Sequence, residues 1–181
     1  MVYVALLRGI NVGGNNRVEM SRLKKILEGL GYSDVSTYIN SGNAFFKTPE
    51  SDPRKIEINI EQAIEKEFKL NLHVVIRSLP EIKELIKAIP SHWLKASDKK
   101  CNVIFLRHNI DNRDILDNFS PKEGIEELSY HPGTLLWSAN TSDLTRSEMI
   151  QLAKNGLYKD MTIRNLNTTR KIHEIMSSLL S

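Results

Sequence analysis

A loop near the start of the chain holds the residues with the greatest capacity to bind a ligand. It runs from Arg8 to Asn16, after an apolar strand predicted over residues 2–7 and before a helix predicted from Ser21. The loop combines a guanidinium, carboxamides and glycines that leave backbone N–H groups accessible, and it contains no carboxylate. Long loops anchored by rigid elements commonly carry function. The pattern predicts a site for a small anionic or polar ligand, phosphorylated ligands included.

A second polar segment, residues 40–43 (Asn-Ser-Gly-Asn), is typical of a turn between strands predicted over residues 35–39 and 44–47. In a βαββαβ unit the first two strands run parallel with the third between them, so the first loop and this turn emerge at the same end of the sheet. We therefore expect both segments to form one rim. The candidate ligand-binding residues on it are Arg8, Asn11, Gly13, Gly14, Asn15, Tyr38, Asn40, Ser41 and Asn43.

A third segment precedes the last helix, which is predicted to begin near residues 167–169. Arg170 and Lys171 then fall in its first turn, where the positive end of the helix dipole disfavours cations. Together with capping groups, these cations describe an anion site, or else a solvated cap whose cations point away from it. The candidates from this segment are Arg164, Asn165, Thr168 and Lys171. The sequence does not indicate whether they join the first rim.

The polar loop also has a purely structural interpretation, which stays open at this point. Its glycines can satisfy positive φ angles, and its asparagines can hydrogen-bond their own turns. The spacing of Gly9, Gly13 and Gly14 matches neither the dinucleotide fingerprint nor the P-loop, which argues against the usual NTPases and nicotinamide enzymes. No catalytic residues can be named, and enzymatic activity stays undecided. The acidic residues of the second helix, such as Glu57 and Glu61, are predicted to be solvated.

The order of elements predicts an α+β fold of two tandem ferredoxin-like (βαββαβ) halves with antiparallel sheets, a pseudo-duplication. The first half spans residues 1–78, a helix and a linking segment span 79–100, and the second half spans 101–181. In the first half, Ser21 is predicted to cap one helix and Asp52 the next. The second half is fainter, with strands over residues 101–106, 125–130, 134–138 and 161–164. Thr145 and Glu148 form a capping-box pattern for a helix ending at residues 155–156.

Composition excludes several classes of protein. The chain has 181 residues, 40% of them hydrophobic and 26% charged, with a net charge of +3, which is too mild for a dedicated nucleic-acid binder. Its one cysteine, Cys101, lies in an apolar run and fits a reducing cytoplasm. The five histidines lack the spacing of metal ligands, and no apolar run is long enough to span a membrane. No cofactor is predicted, and the oligomeric state is not indicated.

Two other functions compete with small-ligand binding. The βαββαβ order also builds the RNA-recognition motif, and residues 41–48 partly match its third-strand box, with Tyr3 and Phe45 left as stacking platforms on the open sheet face. Both faces of strand one are apolar, so we expect both rings to be buried, which makes nucleic acid the less favoured partner. The third class is a protein-interaction module without a small ligand.

Three stretches, residues 5–14, 37–43 and 162–168, resemble a family of small bacterial proteins known as domain of unknown function 1697. The resemblance covers essentially the whole chain. It implies a two-subdomain α/β protein of ferredoxin-like halves, and it implies no established activity, substrate, cofactor or catalytic residue. Leu166 stands where this family often has Trp.

Overall fold

The computed structural model describes residues 1–180, except for the side chain of Ile150. It is a mixed α+β fold with two four-stranded antiparallel sheets. The first sheet has the order β2-β3-β1-β4, and α1 and α2 pack against it. The first elements along the chain are β1 (Val2–Leu7), α1 (Met20–Gly29), β2 (Ser33–Tyr38), β3 (Asn43–Lys47), α2 (Pro53–Phe68), β4 (Val74–Ser78) and α3 (Leu79–Ala88).

The second sheet has the equivalent order, β6-β7-β5-β8. The remaining strands and α-helices along the chain are β5 (Lys99–Leu106), β6 (Glu126–His131), β7 (Thr134–Asn140), α4 (Met149–Leu152), β8 (Met161–Asn165) and α5 (Leu166–Ser178). Short 3-10 helices lie at Ser91–Leu94, Arg113–Asn118, Thr141–Arg146 and Gly156–Asp160. The chain divides into a first unit, residues 1–82 with the chain from Lys171 onward, and a second unit, residues 83–170. Within residues 1–180, no helix is long and apolar enough to cross a membrane.

The core of the first unit lies between its sheet and α1 and α2. Tyr3, Ala5 and Leu7 on β1 pack with the apolar faces of these helices, and the Tyr3 ring stacks on Phe46 at 6.1 Å between centroids. The opposite face of β1, represented by Val4, is buried as well. Both faces of the strand are therefore removed from solvent, as its unbroken apolar sequence predicts.

The helix ends of the first unit follow the sequence in part. Asp52 caps α2 as predicted, because its carboxylate accepts the Arg54 backbone N–H at 2.9 Å. The predicted cap at Ser21 is wrong. The helix already begins at Met20, and the Ser21 hydroxyl donates to the Glu19 carboxylate, so this serine lies inside the first turn.

One carboxylate on α2, that of Glu57, is buried contrary to the prediction, and that of Glu61 is partly buried. Glu57 is buried and accepts the Ile76 backbone N–H at 3.4 Å, while Glu61 accepts that of Val74 at 2.9 Å. β4 is an edge strand, and these N–H groups have no neighbouring strand to bond. The helix thus covers an edge that would otherwise be open to pairing with another chain.

The predicted helix from Thr145 to residues 155–156 is also wrong, since α4 has only four residues. The Glu148 N–H donates to the buried carboxylate of Glu126 at 2.9 Å. The same carboxylate accepts the indole N–H of Trp137 at 2.9 Å and the Lys122 N–H at 3.1 Å. Because a tertiary partner takes the N–H that a capping box would satisfy, the local signal does not start a long helix.

The edge strands of the two units carry equivalent arginines. Arg77 on β4 lies opposite Val4, and Arg164 on β8 lies opposite Val103. Both are buried, and each donates from Nη1 to the carbonyl of the residue before it, at 2.7 Å and 2.9 Å respectively. The surrounding sequences, residues 76–79 (Ile-Arg-Ser-Leu) and 163–166 (Ile-Arg-Asn-Leu), differ at one position.

The hairpins of the two units are equivalent in the same way. The Leu7 N–H donates to the carbonyl of Gly42 at 2.8 Å, and the Leu106 N–H donates to that of Gly133 at 2.9 Å. Both glycines have φ near +82°. Each unit therefore closes the end of its central strand on a left-handed glycine of its central hairpin.

Candidate functional site

The polar loop and the β2–β3 hairpin lie side by side, as the topology predicts. The Asn11 side chain joins them, because its Nδ2 donates to the carbonyl of Asn40 at 2.9 Å and to that of Val18 at 2.9 Å. Its Oδ1 accepts the Val18 N–H at 2.9 Å. These bonds use both N–H groups of the carboxamide and one acceptor position of its oxygen, so Asn11 acts as a brace that fixes the two segments together.

The tip of the loop is a tight turn. Val12 and Asn15 form an isolated bridge, and φ is positive at both central residues, +58° at Gly13 and +82° at Gly14. Two positive φ angles are the signature of a type I′ turn. The glycines thus have the structural role that the sequence left open. The Asn15 side chain is exposed and makes no hydrogen bond within the part of the chain that the structure describes.

The polar residues of the β2–β3 hairpin differ in how deeply they are buried. Asn43 is fully buried, and its Nδ2 donates to the carbonyl of Tyr38 at 3.0 Å and to the Ser41 hydroxyl at 3.2 Å. The sequence predicts Asn43 as a ligand contact, whereas the structure places its side chain inside the turn, which it holds from within. Ser41 is exposed, and Tyr38 is half-buried.

A cleft of about 680 Å³ lies beside this brace, a size typical of small-molecule sites. Three of the candidates from the sequence line it, namely Asn11, Gly14 and Asn40. The predicted residues that do not line it are Arg8, Gly13, Asn15, Tyr38, Ser41 and Asn43. The lining residues missed by the sequence analysis include Arg17, Arg22 and Phe68. Arg17 directly follows the polar loop, which was the available signal, whereas Phe68 comes from the far end of α2.

Arg8, which directly follows β1, is absent from the lining of the cleft. The Leu7 N–H bonds the hairpin, whereas the next N–H, that of Arg8, donates to the carbonyl of His73 beside β4 at 3.3 Å. Successive N–H groups of a strand point to opposite neighbours. The Arg8 backbone is therefore joined to the side of the sheet away from the hairpin, and its side chain is half-buried.

The two arginines of the cleft differ in whether another side chain already pairs with them. Arg22 forms an ion pair with Glu67, and its guanidinium carbon lies 5.2 Å from the centroid of the Phe68 ring, a cation–π contact. Arg17 is exposed, and no described residue gives it a hydrogen bond or ion pair. Glu19 is the carboxylate on the lining, and it accepts the Ser21 hydroxyl. Arg17 is thus the cation that a bound ligand can recruit.

Arg164, a ligand-binding candidate from the third segment, makes buried hydrogen bonds within its own strand. Its side chain is buried, and Nη1 donates to the Thr162 hydroxyl at 3.0 Å as well as to the Ile163 carbonyl. Burial lowers the pKa of its guanidinium to about 10. The strand holds this cation inside the second unit, away from solvent.

The last helix begins earlier than predicted. Asn165 caps α5, because its Oδ1 accepts the backbone N–H of Thr168 at 2.7 Å. Arg170 and Lys171 therefore lie beyond the first turn, and the predicted clash with the helix dipole is absent. Lys171 pairs with Glu174 at 2.9 Å, a bond that raises the pKa of its ammonium.

The aromatic platform of the nucleic-acid alternative is not accessible. Tyr3 is 2% exposed and Phe45 is fully buried, which confirms the prediction that both rings are covered. They also lie on opposite faces of the sheet, since Tyr3 pairs with Phe46 and Val4 pairs with Phe45 across the β1–β3 ladder. The expectation of one shared stacking face was wrong, because successive residues of a strand alternate between faces.

The described part of the chain contains no cluster of three or more histidine, cysteine, aspartate or glutamate side chains that could hold a metal ion. Some acidic side chains hold the fold together. Glu126 and Asp111 illustrate this, since Asp111 accepts the Tyr130 hydroxyl at 2.9 Å and the Gly133 N–H at 2.8 Å.

The chain is similar to a conserved bacterial protein from Streptococcus pneumoniae of known structure. The two share 27% sequence identity and a TM-score of 0.85, over 97% of this chain and 98% of that one. No curated protein matches the sequence. A family model described as a protein of unknown function, DUF1697, matches residues 1–137, and the chain therefore belongs to that family.

Proposed function

We propose that the first unit binds a small ligand with a phosphate or carboxylate group in the cleft beside the Asn11 brace. The observation that carries this proposal is the uncommitted guanidinium of Arg17 on the lining of a cleft of about 680 Å³. A guanidinium donates paired N–H groups that match the oxygens of both anions. Asn40 and the backbone near Gly14 add polar groups for the rest of the ligand.

The surroundings of Arg17 are organised before a ligand arrives. The Asn11 carboxamide fixes the loop to the hairpin, and the Arg22–Glu67 pair fixes the opposite wall beside Phe68. A wall held in this way loses little conformational entropy on binding. The same pair neutralises Arg22, so Arg17 is the lining cation that no described residue pairs, and Glu19 is the carboxylate on the same lining.

The test is the affinity of Arg17→Gln for a panel of anions, namely glucose 6-phosphate, AMP and succinate. The variant keeps a polar side chain and removes the charge, and Lys25→Gln is the control, since Lys25 is exposed on α1 outside the cleft. A charge-assisted hydrogen bond of about 1.5–3 kcal/mol predicts roughly 10- to 150-fold weaker binding for Arg17→Gln alone, by calorimetry. Equal weakening by both variants would show general electrostatics instead of a site.

We further infer that the two units are ferredoxin-like halves of a pseudo-duplication. The equivalent strand orders support this, as do the matched arginines Arg77 and Arg164 and the matched hairpin glycines Gly42 and Gly133. In each half, a helix follows the fourth strand directly, so the repeated element would be βαββαβ with one added helix.

We also propose a reducing cytoplasm as the compartment. The support is Cys101, the one cysteine, which is 8% exposed and forms no disulfide.

A further inference from the structure

A second pocket, of about 390 Å³, lies within the second unit at the start of α5. Its walls come from the 3-10 helix Ser91–Leu94, the first residues of β5, the end of β8 and the first turns of α5. This pocket is separate from the cleft of the first unit, and none of its lining residues belongs to that cleft.

The lining of this pocket is strongly cationic. Lys99, Lys100 and Arg170 contribute to it, and no carboxylate does. Lys99 is already neutralised by the Glu127 carboxylate. Lys100 and Arg170 are exposed, and neither forms a hydrogen bond or ion pair with any described residue. Two positive charges therefore remain uncompensated, which suits a ligand with two negative charges.

A buried donor without an acceptor lies on the same lining. Trp93 is 3% exposed, and its indole N–H is buried with no hydrogen-bond partner in the described chain. The indole can only donate, and a buried tryptophan N–H normally finds an acceptor. The other tryptophan, Trp137, obeys this rule through Glu126. An oxygen atom of a ligand would supply the acceptor that Trp93 lacks.

The start of α5 differs from its equivalent in the first unit. At the start of α3, the Glu81 carboxylate accepts the Ser78 N–H at 2.7 Å and the Ser78 hydroxyl at 2.5 Å, so the protein places its own negative charge there. At the start of α5, Asn165 provides a neutral cap, and Thr168 occupies the position equivalent to Glu81. The first turn of α5 thus contains no acidic residue to balance the positive end of its dipole.

We propose that this pocket binds a phosphate monoester as its dianion. Lys100 and Arg170 pair with the phosphate oxygens, and the indole N–H of Trp93 donates to one of them. The exposed side chain of Leu94, on the same lining, contacts the organic part of the ester. This site is independent of the one proposed for the first unit.

The test is a titration of the full chain with glycerol 3-phosphate at pH 7.5, followed by the ¹H–¹⁵N resonances of the two indoles and the backbone. Trp93→Phe assigns the Trp93 indole signal. We expect that signal to shift downfield at saturation while the Trp137 signal stays fixed, and we expect acetate, a monoanion, to bind at least tenfold more weakly. A Trp93 signal that stays fixed at saturation would overturn the proposal.

The double variant Lys100→Gln/Arg170→Gln tests the charges. Its matched control is Arg113→Gln/Lys154→Gln, which removes the same two residue types from exposed positions of the same unit outside the pocket. We expect at least tenfold weaker binding from the first pair only, and equal effects of the two pairs would refute the site. Shifts confined to the amides of residues 11–18 would place the ligand in the first unit, which overturns this proposal and leaves the other intact.

Discussion

The hairpin glycine Gly42 offers the sharpest test of how the first unit is held together. An alanine Cβ at this position would lie 2.7 Å from Leu7 Cβ and 2.8 Å from Ile10 Cδ1, and the backbone φ is +82°. Leu7 Cβ is attached directly to the central strand, so it cannot move aside without shifting β1. Gly42→Ala therefore combines left-handed strain of about 1–2 kcal/mol with overpacking of about 1–3 kcal/mol.

The expected loss of unfolding free energy is about 2–5 kcal/mol, a large part of the 5–15 kcal/mol typical of a domain. Two other glycines separate the contributions. Gly13 has φ of +58° with no atom within 4 Å of an added Cβ, so Gly13→Ala should cost only the strain, about 1–2 kcal/mol. Gly29 ends α1 without positive φ or close neighbours, so Gly29→Ala should stabilise by about 0.5–1 kcal/mol.

The assay is urea denaturation of the full chain, followed by circular dichroism and by tryptophan fluorescence. Both tryptophans, Trp93 and Trp137, lie in the second unit, so the two probes separate the transitions if the units unfold independently. From most to least stable, the expected order is Gly29→Ala, wild type, Gly13→Ala and Gly42→Ala. If Gly42→Ala were no less stable than Gly13→Ala, the close approach of the hairpin to β1 would not be a rigid contact.

Two further predictions concern the end of α2 and the single thiol. Lys69 ends α2 in the left-handed conformation, with φ of +57°, which glycine adopts without strain. Lys69→Gly should therefore raise the unfolding free energy by about 0.5–1 kcal/mol. Lys66→Gly, three residues earlier inside the helix, should lower it by about 1 kcal/mol. The same sign for both in urea denaturation would contradict this account of the helix end. Burial raises the pKa of the Cys101 thiol, so little thiolate is present at pH 8, and reaction with a disulfide reagent should be far slower in the native protein than in urea. Equal rates would show that the thiol is open to solvent.

The sequence predicted the features that depend on topology and on local backbone chemistry. The contact between the polar loop and the hairpin followed from the parallel direction of the first two strands, and the Asn11–Asn40 hydrogen bond realises it. The Asp52 cap was a local signal that tertiary packing left in place. These features can be predicted without knowing which faces of the sheets are covered by the rest of the protein.

The errors arose where burial decides the role of a polar residue. Asn40 and Asn43 have the same side chain three positions apart in one turn, yet Asn43 is fully buried and Asn40 is exposed. On β8, Thr162 and Arg164 alternate with apolar residues, a pattern that predicts an exposed polar face. Both are buried instead. Strand periodicity identifies the two faces, but it does not say whether one of them remains open.

The backbone contacts of the scaffold are repeated in the two units, whereas the two proposed ligand sites are not. The scaffold is repeated, since the edge arginines Arg77 and Arg164 and the hairpin glycines make the same backbone contacts in each. The sites are not repeated. The cleft of the first unit uses the long loop after β1, whereas the pocket of the second unit uses the helix after β8. Where α3 meets its strand, the Glu81 carboxylate already accepts the Ser78 N–H, whereas at α5 we propose that a bound phosphate supplies the negative charge. A scaffold kept constant while its loops and caps diverge can carry two different ligand sites, because the packing that determines stability lies apart from the residues that determine binding.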